Sequence, residues 1–278
     1  MVGDVLGRYY GGASIPNIET GLLENGTKLN QETILDYAVA FPHLISRFLH
    51  WIMQTYGLPN VGNHWQADEK PVIVQGMQCW ILAVIDVTTE FVLVLKFIPS
   101  RTRENLENGL REARLLAKKC PLIAETDALP GYDKAVRKAL GDATHWKVKK
   151  SEWYGVNNLI ETFNSRLEAF FRVRKGLHEF NTAQHILDGV WIHETIVKKS
   201  KSQYLLHQTT AQAAGFAIKL KRPWTDLLTL AEKATSKGHI RFLRPARQKH
   251  MDQWLSTPKQ TLLRSPKKKQ EPLSASHA

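Results

Sequence analysis

Three acids stand where one fold could gather them: Asp68 within HWQADEKPVIV, Asp127 after PLIAET, and Glu161 within GVNNLIETFNSRLEAFF. The first two belong to β-type runs and the third, 34 positions after Asp127, to an amphipathic helix. Carboxylate oxygens are hard ligands suited to Mg2+ or Mn2+, and two such ions held together activate a water and stabilise the leaving oxygen of a phosphodiester. Spacing alone carries little, because 26 acids in 278 residues pair at any fixed separation by chance. Context carries more. Asp127 ends the run Leu122 to Thr126 and precedes Leu129-Pro130-Gly131, the kind of place where open α/β sheets present ligand groups. Strand alternation sends Glu69 to the face opposite Asp68, so it is given no ligand position. Asp86 is either an outer support of the site or a strand-end cap, and His64 and His145 are read as structural.

The elements that must position these acids follow from periodicity. His64 to Val74, Met77 to Val87 and Phe91 to Ile98 read as strands, with turns at Gly76 and Thr88-Thr89. A helix follows over Arg101 to Lys119, where Leu106, Leu110, Ala113 and Ala117 share helical spacing. Then come the Asp127 strand, a helix from Tyr132 to Leu140, a strand from Thr144 to Lys149, and the helix bearing Glu161. The order βββ-α-β-α-β-α predicts an α/β protein with a ribonuclease-H-like mixed sheet and Asp68 on its central strand. On the last helix Glu161, Ser165, Glu168 and Arg172 share a face. Around it Lys147, Lys149, Lys150, Arg166, Arg172, Arg174 and Lys175, interleaved with aromatic residues, form a candidate DNA-facing rim.

Upstream, Ser14 before Pro16 opens a helix that Gly26 closes, and Asn30 caps a second that runs to Ala40 and breaks at Phe41-Pro42. Two helices joined by a tight turn suggest a helix-turn-helix, although the second carries Glu32 and Asp36 and no Lys or Arg, which suits phosphate poorly. The expected division is a helical helix-turn-helix domain over 1–60, a catalytic α/β domain over 61–200, and a basic helical segment with a disordered tail over 201–278.

The chain is long enough to bury a core, 43% of its residues being hydrophobic. No apolar run reaches the roughly 18 residues of a membrane span, and the N-terminus lacks the order of a signal peptide, so a cytoplasmic protein is expected. Cys79 and Cys120 have no zinc-type spacing. The net charge of +12 is uneven: residues 1–200 hold 23 Lys/Arg against 22 Asp/Glu, and 201–278 hold 15 against 4. Such a segment would neutralise phosphates without reading sequence.

Several stretches resemble the DDE transposases of prokaryotic insertion sequences, in particular the family numbered six and its archaeal relatives. WQADEKPVIVQGMQCWILAVID is similar to that family's first-acid hairpin, ETDALPGYDKAV to its second-acid strand, and NNLIETFNSRLEAFFRVRKG to its third-acid helix. GASIPNIETGLLENGTKLNQETI resembles its helix-turn-helix and QTTAQAAGF its C-terminal segment, so the resemblance covers about 8–230. It implies that Asp68, Asp127 and Glu161 coordinate two Mg2+ (or Mn2+) ions, cut DNA at the terminal inverted repeats, and direct a freed 3′-hydroxyl into target DNA. It also implies a homodimer or larger assembly on paired ends. Seven residues after the third acid the family usually has Lys or Arg; here stands Glu168, and Arg166 or Arg172 is the expected substitute. Two other readings stay open: a catalytically silent DNA-binding relative, and a ribonuclease-H-like nuclease that joins no strands.

Overall fold

The structure is a computed structural model, described for residues 1–148, 158–174, 177 and 179–239. Its sheet begins with β1 (His64–Val74) and β2 (Met77–Asp86), which the two-residue turn Gln75-Gly76 folds into a hairpin. Both turn residues have positive φ, 50° and 75°, the geometry that matches the right-handed twist of the flanking strands. β3 (Val92–Ile98) pairs antiparallel with β2, while β4 (Ile123–Asp127) and β5 (Thr144–Val148) add parallel strands on the other side of β1. The strand order β3-β2-β1-β4-β5 puts β1 at the centre, as the element order predicts, and gives the ribonuclease-H-like mixed sheet.

Crossovers supply the helices. α4 (Arg103–Ala117), capped by Thr102, joins β3 to β4 and packs on β2 and β3; α5 (Gly131–Leu140) joins β4 to β5 and packs on α4. At Gly109 any Cβ would stand 2.2 Å from a Leu82 methyl, so this close approach of α4 to the sheet needs glycine. α6 (Asn158–Arg174) lays Ile160, Phe163, Leu167 and Phe171, spaced by three and four, into the core. It packs against β1. α7 (Phe180–Ile192) covers β3, and a π-helical turn, His193–Val197, extends it. α8 (Thr210–Ala213) and α9 (Pro223–Ser236) follow.

The N-terminal helices are α1 (Val2–Tyr10), α2 (Ile15–Glu24) and α3 (Gln31–Tyr56). Ser14 and Asn30 are N-caps, accepting from Asn17 N and Thr33 N. The break expected at Phe41-Pro42 does not occur: α3 runs 26 residues straight through Pro42. Proline removes the bond to the carbonyl four residues back, which is Ala38 O, and the buried Tyr10 hydroxyl donates to that oxygen at 2.6 Å. Packing of α3 against α7, α9, α1 and α2 completes the helical layer. All these elements belong to one unit, Met1–Pro245. The last stretch, expected to be disordered, lies outside the described residues, as do Lys149, Lys150 and Lys175.

Candidate active site

Pairing between β1 and β4 stops at Ala67 and Thr126, so Asp68 and Asp127 stand side by side where the two parallel strands part. Residues in parallel register share a face. That face of β1 looks onto α6: Asn164 Nδ2 donates to Asp68 Oδ2 at 2.7 Å, and Lys70 Nζ meets Glu168 Oε2 at 2.9 Å. Four residues along the helix match two along the strand, so α6 follows β1. Asp127 is set by its own turn, Leu129 N donating to Oδ1 at 3.0 Å, the Asx geometry that the Leu129-Pro130-Gly131 signal foreshadows.

The start of α6 is fixed from beneath. Gln66, 2% exposed, donates from Nε2 to Glu125 Oε1 at 3.2 Å and accepts Ile160 N on its Oε1 at 3.3 Å. Glu125 takes a second bond, 2.8 Å, from His64 Nε2. A helix N-terminus has backbone N–H groups with no intrahelical partner; here a strand side chain takes one of them, immediately before Glu161. Glu161 sits half-buried in the first turn of α6, one turn before Asn164.

On the opposite face of β1, Glu69 is 7% exposed. Its Oε2 accepts from the buried Tyr132 hydroxyl of α5 at 2.9 Å, and its Oε1 is buried with no hydrogen-bond partner among the described residues. Alternation removes Glu69 from the Asp68 face, yet carboxylate oxygens of Asp68, Glu69 and Asp127 all lie within 4.8 Å of one another. β4 has ended beside it, and the extra methylene of Glu lets the carboxylate approach the other two past the open edge. Burial pushes the Glu69 carboxyl up to about 7; the Tyr132 bond opposes this, and the charges of Asp127 and Asp68 add to it. Burial likewise raises Tyr132 well above the usual phenol range.

This donor set fits a divalent cation. It consists of hard oxygens, it gathers like charges, and one buried oxygen lacks a partner. Asp68 and Asp127 are brought together as expected, and Glu161 is on the helix whose Asn164 reaches Asp68, but the mutually close trio contains Glu69 in place of Glu161. Gln66, Asn164 and Tyr132 were not singled out from sequence. Asn164, three residues after Glu161 on a helix, carried a signal that spacing could have found.

The other residues read from the sequence have the following surroundings. Asp86 is a strand-end cap, fully buried, accepting from Gly62 N on Oδ1 and from Thr89 N and Oγ1 on Oδ2. His145 lies between Thr126 Oγ1 and Asp133, and burial lowers its pKa. Lys147, half-exposed, pairs with Asp133 at 2.7 Å, and that contact holds the Asp133 carboxyl below its usual range. Arg166 faces Glu194, Nε to Oε2 2.9 Å, with Lys198 on the other oxygen. Arg174 turns inward: its guanidinium lies 3.7 Å from the Phe170 ring centroid and donates to Tyr9 O and Ala13 O. Of the rim residues on α6, Arg166 and Arg172 are exposed. Glu168 is held below its usual range by its bond with Lys70.

The fold, with its strand-end carboxylates, is that of a ribonuclease-H-like domain. Residues 62–200 match the DDE domain, half of the chain, and the protein belongs to the family of insertion-sequence transposases that carry it. It is thereby an enzyme of the polynucleotidyl-transferase type, concerned with transposition, whose domain uses a divalent metal. Among curated protein sequences nothing matches the chain significantly. Similar solved structures include the HTLV-2 integrase catalytic core domain in complex with magnesium, 13% identical, TM-score 0.41, covering 55% of this chain and 96% of that one. The BIV integrase catalytic core domain is 15% identical with a TM-score of 0.40, covering 54% and 92%. Among the described residues no helix is long and apolar enough to cross a membrane.

Proposed function

We propose that the protein cuts DNA at the terminal inverted repeats of its element and transfers the freed 3′-hydroxyl to target DNA, with Asp68, Asp127 and Glu161 holding two Mg2+ or Mn2+ ions. The observation that carries this reading is the side-by-side placement of Asp68 and Asp127 at the parting of two parallel strands, with the Glu161 helix running past them. Bound there, the cations would lower the pKa of an attacking water and offset charge on the leaving oxygen. The chain's own groups do the positioning. Asn164 fixes one oxygen of Asp68, Leu129 N orients Asp127, and Gln66 anchors the turn that carries Glu161.

DNA is held by charge: a net +12, concentrated after residue 200, with Arg172 and Lys147 exposed. Helices α2 and α3 form the sequence-reading unit, with Lys28 exposed in the turn between them and Glu32 and Asp36 exposed on α3. The working form is a homodimer or larger, since two element ends must be cut together.

Nicking of supercoiled plasmid in Mg2+ and in Mn2+ tests this reading. The parent protein nicks, and Asp127→Asn, equally folded by circular dichroism, loses at least roughly 100-fold of that activity. Equal activity in the two, or none in the parent on plasmids bearing the element ends, overturns it.

A further inference from the structure

Glu69 is costly where it stands. A carboxylate removed from water and set beside two others loses solvation and meets like charge, and such groups are kept only when something compensates them. Tyr132 satisfies one oxygen. The other has no partner among the described residues, although the residue is only 7% exposed. Arg101, stacked over the Trp80 ring at 3.9 Å, offsets part of the charge, but makes no hydrogen bond to that oxygen. The three carboxylates are close enough to share an ion: one oxygen of each lies within 4.8 Å of the others, near the roughly 4.2 Å that separates oxygens on opposite sides of a Mg2+.

We propose that Glu69 is a further ligand of the metal site, contributing its unpartnered oxygen from the face of β1 opposite Asp68, with Tyr132 as the positioning residue that fixes its other oxygen. The site is then fed from both faces of one strand. Asp68 and Asp127 bind from the α6 side and Glu69 from the α5 side, so a cation ties the two helical layers to the sheet. This inference rests on the carboxylate-site reading above and adds a residue to it.

Mn2+ binding to the full chain, measured by calorimetry and by electron paramagnetic resonance of free Mn2+, tests it without DNA. Glu69→Gln keeps shape and volume and weakens Mn2+ binding roughly 100-fold, and Tyr132→Phe weakens it roughly 10-fold. Thermal melts give an independent readout. In chelator Glu69→Gln melts no lower than the parent, because buried like charge has been removed, whereas the increase in Tm that Mn2+ gives the parent shrinks in the variant. Should Glu69→Gln fail to fold, Glu69→Asp, which withdraws the oxygen by one methylene, must show the same loss of Mn2+ affinity. Parent-like affinity in the Glu69 variants, with affinity lost in Asp127→Asn, overturns the role of Glu69 and leaves the Asp68 and Asp127 site standing. A parent that binds no Mn2+ overturns both.

Discussion

Two regions of the sheet handle exposed polar groups in opposite ways. At the β3 edge, backbone groups that lack a neighbouring strand are answered one by one from α7: Gln184 donates to Leu95 O at 3.1 Å and accepts from Phe97 N at 2.8 Å, and Trp191 Nε1 donates to Val92 O at 2.7 Å. Gln184 also donates to Asp188, whose other oxygen faces His43 Nδ1 at 2.8 Å. At the parting of β1 and β4 three carboxylates crowd together and one buried oxygen is left over. Pairing of unlike groups fastens; crowding of like groups holds a place for a ligand. An edge strand left open invites another chain, so the first arrangement protects the fold that the second puts to use.

The comparison sharpens through substitutions that touch one region only. Gln66→Ala frees Ile160 N and loosens the turn bearing Glu161; DNA cleavage falls roughly 100-fold, the cost of about 1 Å of misplacement, while the β3 edge is untouched. Gln184→Ala should do the converse. It strands two edge backbone groups and costs about 2 kcal/mol in denaturant unfolding, with Mn2+ affinity unchanged; a change in that affinity would break the separation of roles. A smaller effect is set by pH. His185, stacked on His43 at 4.1 Å, has its pKa lowered to about 4, by burial first and then by His43. Below about 6.5 the unfolded chain takes up a proton that the native state refuses, so stability falls as pH drops from 6.5 towards 4, by about 1 kcal/mol at pH 5.5, a slope that His185→Gln removes. Smallest is Glu168→Ala: its bond with Lys70 is solvent-screened, and Tm should hold within about 2 °C.

Much of the sheet was legible because strand periodicity and turn chemistry are local. The limits of β1 are those read from HWQADEKPVIV, and Asp127 ends its strand where Pro130 and Gly131 turn the chain. Three features were not legible, each decided by distant partners. Helix α3 survives Pro42 because Tyr10, 28 residues before Ala38, takes the freed carbonyl. Arg174 turns inward to the end of α1, and Arg166, still exposed, pairs with Glu194. Glu69 joins the carboxylates because alternation describes a strand with neighbours on both sides, and β4 has already stopped.

The helix that bears Glu161 is pinned near both ends: the Gln66 side chain accepts Ile160 N in its first turn, and Arg174, its last residue, donates to the backbone oxygens of Tyr9 and Ala13. It is therefore a strut spanning the sheet and the N-terminal helices. A load applied to those helices reaches Glu161 along a helix instead of dissipating in a loop.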